Sequence, residues 1–407
     1  MAQYQETAGA AIPELSSLQR KCLIAAGAAG AISLLGLLFN PQQFFQSYLM
    51  AYMLCLGATL GCLALGMMHQ LSGGAWGVLI RRPIGAASRV MPVMTVLFLP
   101  VLIGIRYLYS WSDPQNLAHD ELLQHKHLYL NVPFFVARAV LYFVVWNALV
   151  YFLNRWSLEQ DETADPALAQ RMQRLSAGGL LAYGLTITFA SFDWLMSLDP
   201  HWFSTIYGVL IMGGQGLTAL AVLTIVLVWL SRRPPLQGIV QPAHFHDLGN
   251  LTLAFTMLWA YFSFSQYLII WSGNLPHEIE WYVHRSFTSW SVVAIALAVT
   301  HFAVPFVLLL SRTVKRTADT ILKVAVWILF ARVVDLLWLI SPEFHHDGFS
   351  LSWLDVTLLV ALGGAWVAAF IWQLRGRAIL PIHDPQFGET LQPIIDRSHH
   401  PKPGTAH

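Results

Sequence analysis

Apolar residues run along this chain in long blocks, broken by short polar stretches rich in Pro, Asn, Asp and Gly. A helix needs about 20 mainly apolar residues to cross the hydrocarbon core of a bilayer. By that measure ten spans fall at about 22–39, 45–68, 90–110, 129–153, 176–198, 203–230, 249–272, 286–311, 320–340 and 353–374. The pattern predicts an all-α integral membrane protein of about ten transmembrane helices. A ten-helix domain (22–374) would lie between an N-terminal segment (1–21) and a C-terminal tail (375–407). The first run follows Arg20-Lys21, is longer than a signal-peptide core, and leads into Asn40-Pro41, not into a small-residue cleavage site. It is read as a retained helix.

Charge gives this array a direction. Only 11% of residues are charged, and mean hydropathy is +0.55, whereas soluble domains carry about 25% charged residues. Counting Lys and Arg in alternate loops puts eighteen of the 23 on one side. They include Arg20, Lys21, Arg81, Arg82, Arg89, Arg155, Arg232, Arg233 and the Arg312–Lys323 group. The other side has Arg106, Lys126 and Arg285. The positive-inside rule then predicts cytoplasmic termini. Trp111, Trp202, Trp271, Trp281, Trp338 and Trp353 gather at the outer ends, where an interfacial aromatic belt belongs. A net charge of +1 gives no reason to expect a nucleic-acid partner.

Several kinds of chemistry are argued against. Cys22, Cys55 and Cys62 all sit in apolar runs without a Cys-x-x-Cys pair, so neither an iron–sulfur cluster nor structural zinc is expected. One deep histidine, His301, lacks the facing partner that a membrane haem needs, and no Cys-x-x-Cys-His occurs. No metal site is expected. The glycine loop His69 to Gly77 lacks the Lys-Ser/Thr ending of a phosphate loop. Arg81-Arg82 beside it read as anchors for anionic headgroups. No loop is long enough to hold a soluble domain, and no internal repeat is evident.

The candidate chemistry lies in polar residues inside the spans. Ionisable groups there are costly and usually carry a function. Arg138, Asp193, Arg332 and Asp335 all fall in the outer half by count and read as one outer cluster, either an ion-pair lock or an outer proton path. Tyr183, Thr186, Ala190, Asp193 and Ser197 share one face of the fifth span. Asp199-Pro200 suits a helix cap. His69, His246, Asp247 and His301 form an inner set, with His244 nearby. Thr252, Thr256, Ala260, Ser263 and Gln266 make a stripe along the seventh span that would join the two sets. Such a stripe equally suits helix–helix contact.

Four stretches carry a family likeness: Ser191 to Gly208 with its Asp-Trp-Leu-Met-Ser block, His69 to Gly77, Phe264 to Pro276 with Ser-Gly-Asn-Leu-Pro, and Leu380 to Pro385. The chain resembles the second of the NrfD/polysulfide-reductase-like membrane subunits of bacterial alternative complex III, a respiratory quinol:electron-acceptor oxidoreductase of the inner membrane. The resemblance implies two four-helix bundles, helices 2–5 and 6–9, flanked by helices 1 and 10. It also implies partners: a sister NrfD-like subunit, a periplasmic iron–sulfur subunit and c-type cytochrome subunits, which would hold the haems and clusters. No cofactor is expected on this chain, save that quinol or menaquinol could visit it. In such complexes the quinol site is usually assigned to the sister subunit. The expected role is therefore proton conduction and scaffold. Quinol binding by this chain itself, a purely structural anchor and a secondary transporter are the alternatives.

Overall fold

Each predicted span becomes a helix in the computed structural model, which describes residues 13–234, 236–375, 378 and 379. The Leu380 to Pro385 motif and the rest of the tail lie outside the described residues. The chain is an all-α membrane protein, and among the described residues ten helices are long and apolar enough to cross a bilayer. They are α1 (Glu14–Phe39), α2 (Pro41–Ser72), α3 (Arg81–Ile103), α4 (Val132–Thr163), α5 (Pro166–Leu198), α6 (Tyr207–Ser231), α7 (Pro242–Gly273), α8 (Trp290–Leu310), α9 (Ala318–Glu343) and α10 (Trp353–Arg375).

The starts of α2, α4 and α5 follow one recipe: a polar cap, then proline in the first turn. The Asn40 side chain accepts from the Gln43 N–H at 3.1 Å, Asn131 from Phe134 at 2.9 Å and Asp165 from Ala167 at 2.9 Å. Pro41, Pro133 and Pro166 follow these caps, where their missing N–H costs nothing. Polar flanks extend several helices beyond the apolar runs. The stretch 154–174, expected as a loop, continues α4 and α5 up to a tight turn at Ala164-Asp165, with Ala164 at φ 53°. At 32 residues, α2, α4 and α7 are each about 48 Å long, well beyond an apolar core of about 30 Å.

Helices α2–α5 pack in one ring and α6–α9 in a second. The rings meet chiefly where α2 crosses α6. Close approach there depends on Gly61, where an added methyl would collide with the Gln215 carbonyl. Helix α10 packs on α2, and α1 lies outside it against α10. Two helices are irregular. Helix α3 is broken into short pieces with Pro92 and Pro100 opening the second and third. Helix α8 widens into a π turn at Ala298–Ala303. Pro305 lacks the N–H that would close on the His301 carbonyl, which favours the widening.

One end of the array, the basic face, carries Arg81, Arg82, Arg232, Arg233 and Lys315. Arg82 does not point to headgroups: it is buried and pairs with Asp161 at 2.5 Å, while Arg81 donates to Gln160 at 3.2 Å. These contacts tie the start of α3 to the end of α4. The opposite face holds the short helices Pro114–His119, Glu121–Lys126 and Pro276–Ser286.

Candidate functional site

The four charges read as one cluster separate into two pairs, one in each ring. In the first, Arg138 on α4 reaches Asp193 on α5 with a two-pronged contact, Nε to Oδ2 at 2.9 Å and Nη2 to Oδ1 at 2.8 Å. The Tyr142 hydroxyl donates to Oδ2 at 2.7 Å. The third guanidinium nitrogen donates to the Tyr129 carbonyl at 2.9 Å, and the Tyr129 ring lies 3.8 Å from the guanidinium carbon. The Asp193 side chain has no exposed surface. A buried carboxylate with both oxygens paired is the arrangement that offsets its desolvation.

In the second ring, Arg332 pairs with Asp335 one turn along α9. Trp259 on α7 donates its indole N–H to Asp335 Oδ2 at 3.3 Å, and Arg332 Nε donates to Thr218 on α6 at 3.3 Å. Gly214 makes room for the guanidinium, since a side-chain carbon there would collide with it. The π turn of α8 brings His301 edge-on to Trp259, with ring centroids 4.0 Å apart. His301 is fully buried, and neither ring nitrogen has a partner among the described residues. His301 thus belongs with Arg332 and Asp335 in mid-helix, not with an inner set.

The remaining inner residues divide. His69 is a clasp for the glycine loop: its Nε2 bonds the Gly74 carbonyl at 3.0 Å and its ring fills the space beside Gly77. It borders a cavity of about 60 Å³ with Gln70, Arg81 and Ser88. His244, His246 and Asp247 lie in the first turns of α7 rather than before it, because Gln241 caps that helix with His244. His246 meets Asn250 at 3.3 Å, and Asn250 accepts from buried Lys315 at 2.7 Å. From there α7 presents Thr252 and Thr256, both buried, whose hydroxyls return to the Leu248 and Thr252 carbonyls at 2.8 Å. The buried face then runs through Trp259, not Ala260. Ser263 is half-buried. Gln266 accepts from Ser204 and donates to Tyr282, each at 3.2 Å.

Asp199 caps a turn rather than a helix. Its carboxylate accepts from the His201 N–H at 3.0 Å, and α6 begins only at Tyr207. The 3–4 connection is tied to this turn by Lys126, which donates to the Pro200 carbonyl at 2.6 Å, and by Asp120, which meets His201 at 2.6 Å. Partial burial pulls the Lys126 ammonium below its ordinary range, against the nearby Asp199 and Asp120 charges. For Asp120, burial is outweighed by hydrogen bonds from the Leu123 N–H, His201 and the Leu122 N–H, so its carboxyl titrates below the ordinary value. Burial, followed by the nearby Asp193 charge, pushes the Tyr129 phenol up. Between the turn and the 3–4 connection lies a cavity of about 300 Å³, bordered by Tyr129, Phe192, Ser197, Asp199 and Trp202. Ser197 donates to the Asp193 carbonyl at 2.5 Å, so this cavity adjoins the first pair.

Sequence reasoning missed Tyr142, Trp259, Thr218 and the bond from Tyr183 to Gln215 across the ring boundary, 2.7 Å long. Tyr142 had a signal, standing four residues after Arg138. The fifth and ninth helices also share one spacing. Asp193 and Asp335 each stand seven residues before a proline, Pro200 and Pro342, and each helix closes in a 3₁₀ turn. Among the described residues no group of three His, Cys, Asp or Glu side chains is placed to hold a metal ion. No protein-family model matches the chain, and no similar curated protein was found.

Proposed function

We propose that this chain is the proton-conducting and scaffolding membrane subunit of a quinol:electron-acceptor oxidoreductase, lying in a bacterial inner membrane with the basic face towards the cytoplasm. Its partners would be a sister NrfD-like subunit, a periplasmic iron–sulfur subunit and c-type cytochromes. The observation that carries the proton role is the mid-helix group His301, Trp259, Arg332 and Asp335. An imidazole with two unpartnered nitrogens, joined to a carboxylate through the Trp259 ring in a protein interior, suits proton exchange through bound water. The polar face of α7, from His246 through Thr252, Thr256 and Ser263 to Gln266, supplies groups at intervals on both sides of it. The motif likenesses in sequence supply the complex.

A second reading, quinol binding by this chain, draws on the cavity of about 300 Å³ beside Asp193. That size is at the small end of ligand sites, and Asp193 would accept a proton there. One experiment separates the readings. The complex carrying Asp335→Asn, and separately Asp193→Asn, is reconstituted in liposomes, and quinol oxidation and proton movement are followed together. Proton movement lost with oxidation retained in Asp335→Asn supports conduction. Oxidation lost in Asp193→Asn, with assembly intact, transfers the assignment to quinol binding. Unchanged rates in both variants leave this chain as an anchor alone.

A further inference from the structure

The Asp335 site needs a way to the opposite face, and the structure offers one beyond α9's carboxylate itself. Glu343 lies eight residues further along α9, about 12 Å away at helical rise. Its side chain is 12% exposed and accepts from Arg285 Nη2 at 2.6 Å. Arg285 comes from the short helix Pro276–Ser286 and is itself almost fully buried. The Trp281 carbonyl accepts from its Nη1 at 3.0 Å, and the Trp281 ring lies 3.4 Å from the guanidinium carbon. Trp202 stacks on that Trp281 ring at 4.6 Å between centroids. Glu343 is thus held at the boundary between an aromatic lid and water.

Unpartnered donors occur along the way from Asp335 to Glu343. Arg285 Nε and Trp338 Nε1 are buried donors without an acceptor among the described residues, and Trp338 is one turn beyond Asp335 on the same helix. The Tyr207 phenol, 1% exposed, lies within electrostatic reach of Asp335, Arg285, Glu343 and Tyr282 together. Orphaned buried donors are the groups that ordered water satisfies. Trp338 stands between the two carboxylates along α9, Arg285 holds Glu343, and the phenol lies within electrostatic reach of both.

We infer that Glu343 is the group that exchanges protons between the Asp335 site and the water at the opposite face, with Arg285 as its positioning residue. The inference rests on the proton-conducting role proposed above and names its outlet. In the step, protonated Asp335 gives its proton through water or Tyr207 to the Glu343 carboxylate. Asp335 becomes the carboxylate and Glu343 the neutral acid, which then passes the proton to bulk water and recovers its charge beside Arg285. Nothing is oxidised or reduced.

The test uses the full chain in liposomes, with a pH-sensitive dye inside and a potassium diffusion potential as the driving force. Wild type, Asp335→Asn, Glu343→Gln and Glu343→Asp are compared, each checked for its melting temperature. Glu343→Gln should slow proton movement about a hundredfold, the low end of what a positioned proton-transfer group contributes. Glu343→Asp should recover most of the rate with a displaced pH midpoint, a displacement that a purely structural side chain would not produce. Slow movement in Asp335→Asn with an unchanged rate in Glu343→Gln overturns the outlet and leaves the conducting role standing. Equal rates in wild type and Asp335→Asn overturn the conducting role and the outlet with it. If Glu343→Gln melts early, Glu343→Asp decides alone, since an unmoved pH midpoint there also overturns the outlet.

Discussion

The two buried aspartates stand at matching points of their rings, yet they are finished differently. Asp193 draws its arginine from a neighbouring helix and a phenol besides, so both carboxylate oxygens are taken. Asp335 draws its arginine from its own helix, and the histidine on the far side of Trp259 is left without partners among the described residues. A buried ion pair with every lone pair satisfied resists change, since removing either member strands a charge. A group with unused hydrogen-bonding capacity is poised to trade partners. The first site reads as a closed lock next to an open cavity. The second reads as an open relay beneath a closed aromatic lid.

The comparison can be broken at several points. Arg138→Leu leaves the Asp193 charge with only the Tyr142 hydroxyl beside it, so it should cost about 3–5 kcal/mol of stability; denaturant unfolding in detergent checks this, and a wild-type midpoint would mean that the first site is not a lock. Gly214→Val drives a side chain into the Arg332 guanidinium, and overpacking of this kind costs about 1–3 kcal/mol. The same unfolding assay should register it, with proton movement lowered because Asp335 loses its partner. His301→Leu sharpens the contrast most. Replacing an unpartnered imidazole with an apolar side chain of similar size should change stability by about 1 kcal/mol or less while lowering proton movement. A large loss of stability there would show that His301 is a packing group after all.

The smallest effect concerns the connection above the first site. Asp120 has its carboxyl held below the ordinary value of 3.8, so its tether contributes at pH above that value and is lost as pH falls through the lower folded value. A spin label at exposed Gln115 should therefore stay immobilised from neutral pH down to about pH 4 and gain mobility below it. Mobility that rises well above about pH 4 would mean that Asp120 does not control this connection.

Much of this was visible in the chain because membrane spans announce themselves by length and apolarity. Ten runs were readable, and ten helices result. Their ends were not, since polar flanks such as 154–174 can continue a helix once proline and a cap set its start. The buried charges were also readable, because Arg138, Asp193, Arg332 and Asp335 interrupt apolar runs. Their grouping was not. Counting residues from a helix end gives height in the membrane but not the ring to which a side chain belongs, so two pairs looked like one cluster. His301 was placed too far towards the basic face for a related reason. Height was judged on one helix alone, and Trp259, which brings His301 to Asp335, looked like an ordinary apolar residue.

The widened turn in α8 has an arithmetic of its own. The buried side of that helix passes through Trp290, Leu297, His301, Pro305 and Leu309. From first to last is nineteen steps, and a regular helix advancing about 100° per step would finish about 100° off the face where it began. One surplus residue, taken up in the wide turn, cancels that drift. A chain shortened by one residue within 298–300 would close the turn and still present Trp290 and Leu309 to the same neighbours. The wide turn is therefore separable from the fold: an insertion that the bundle absorbs without rearrangement, and one that a single deletion could remove while the ten helices stay where they are.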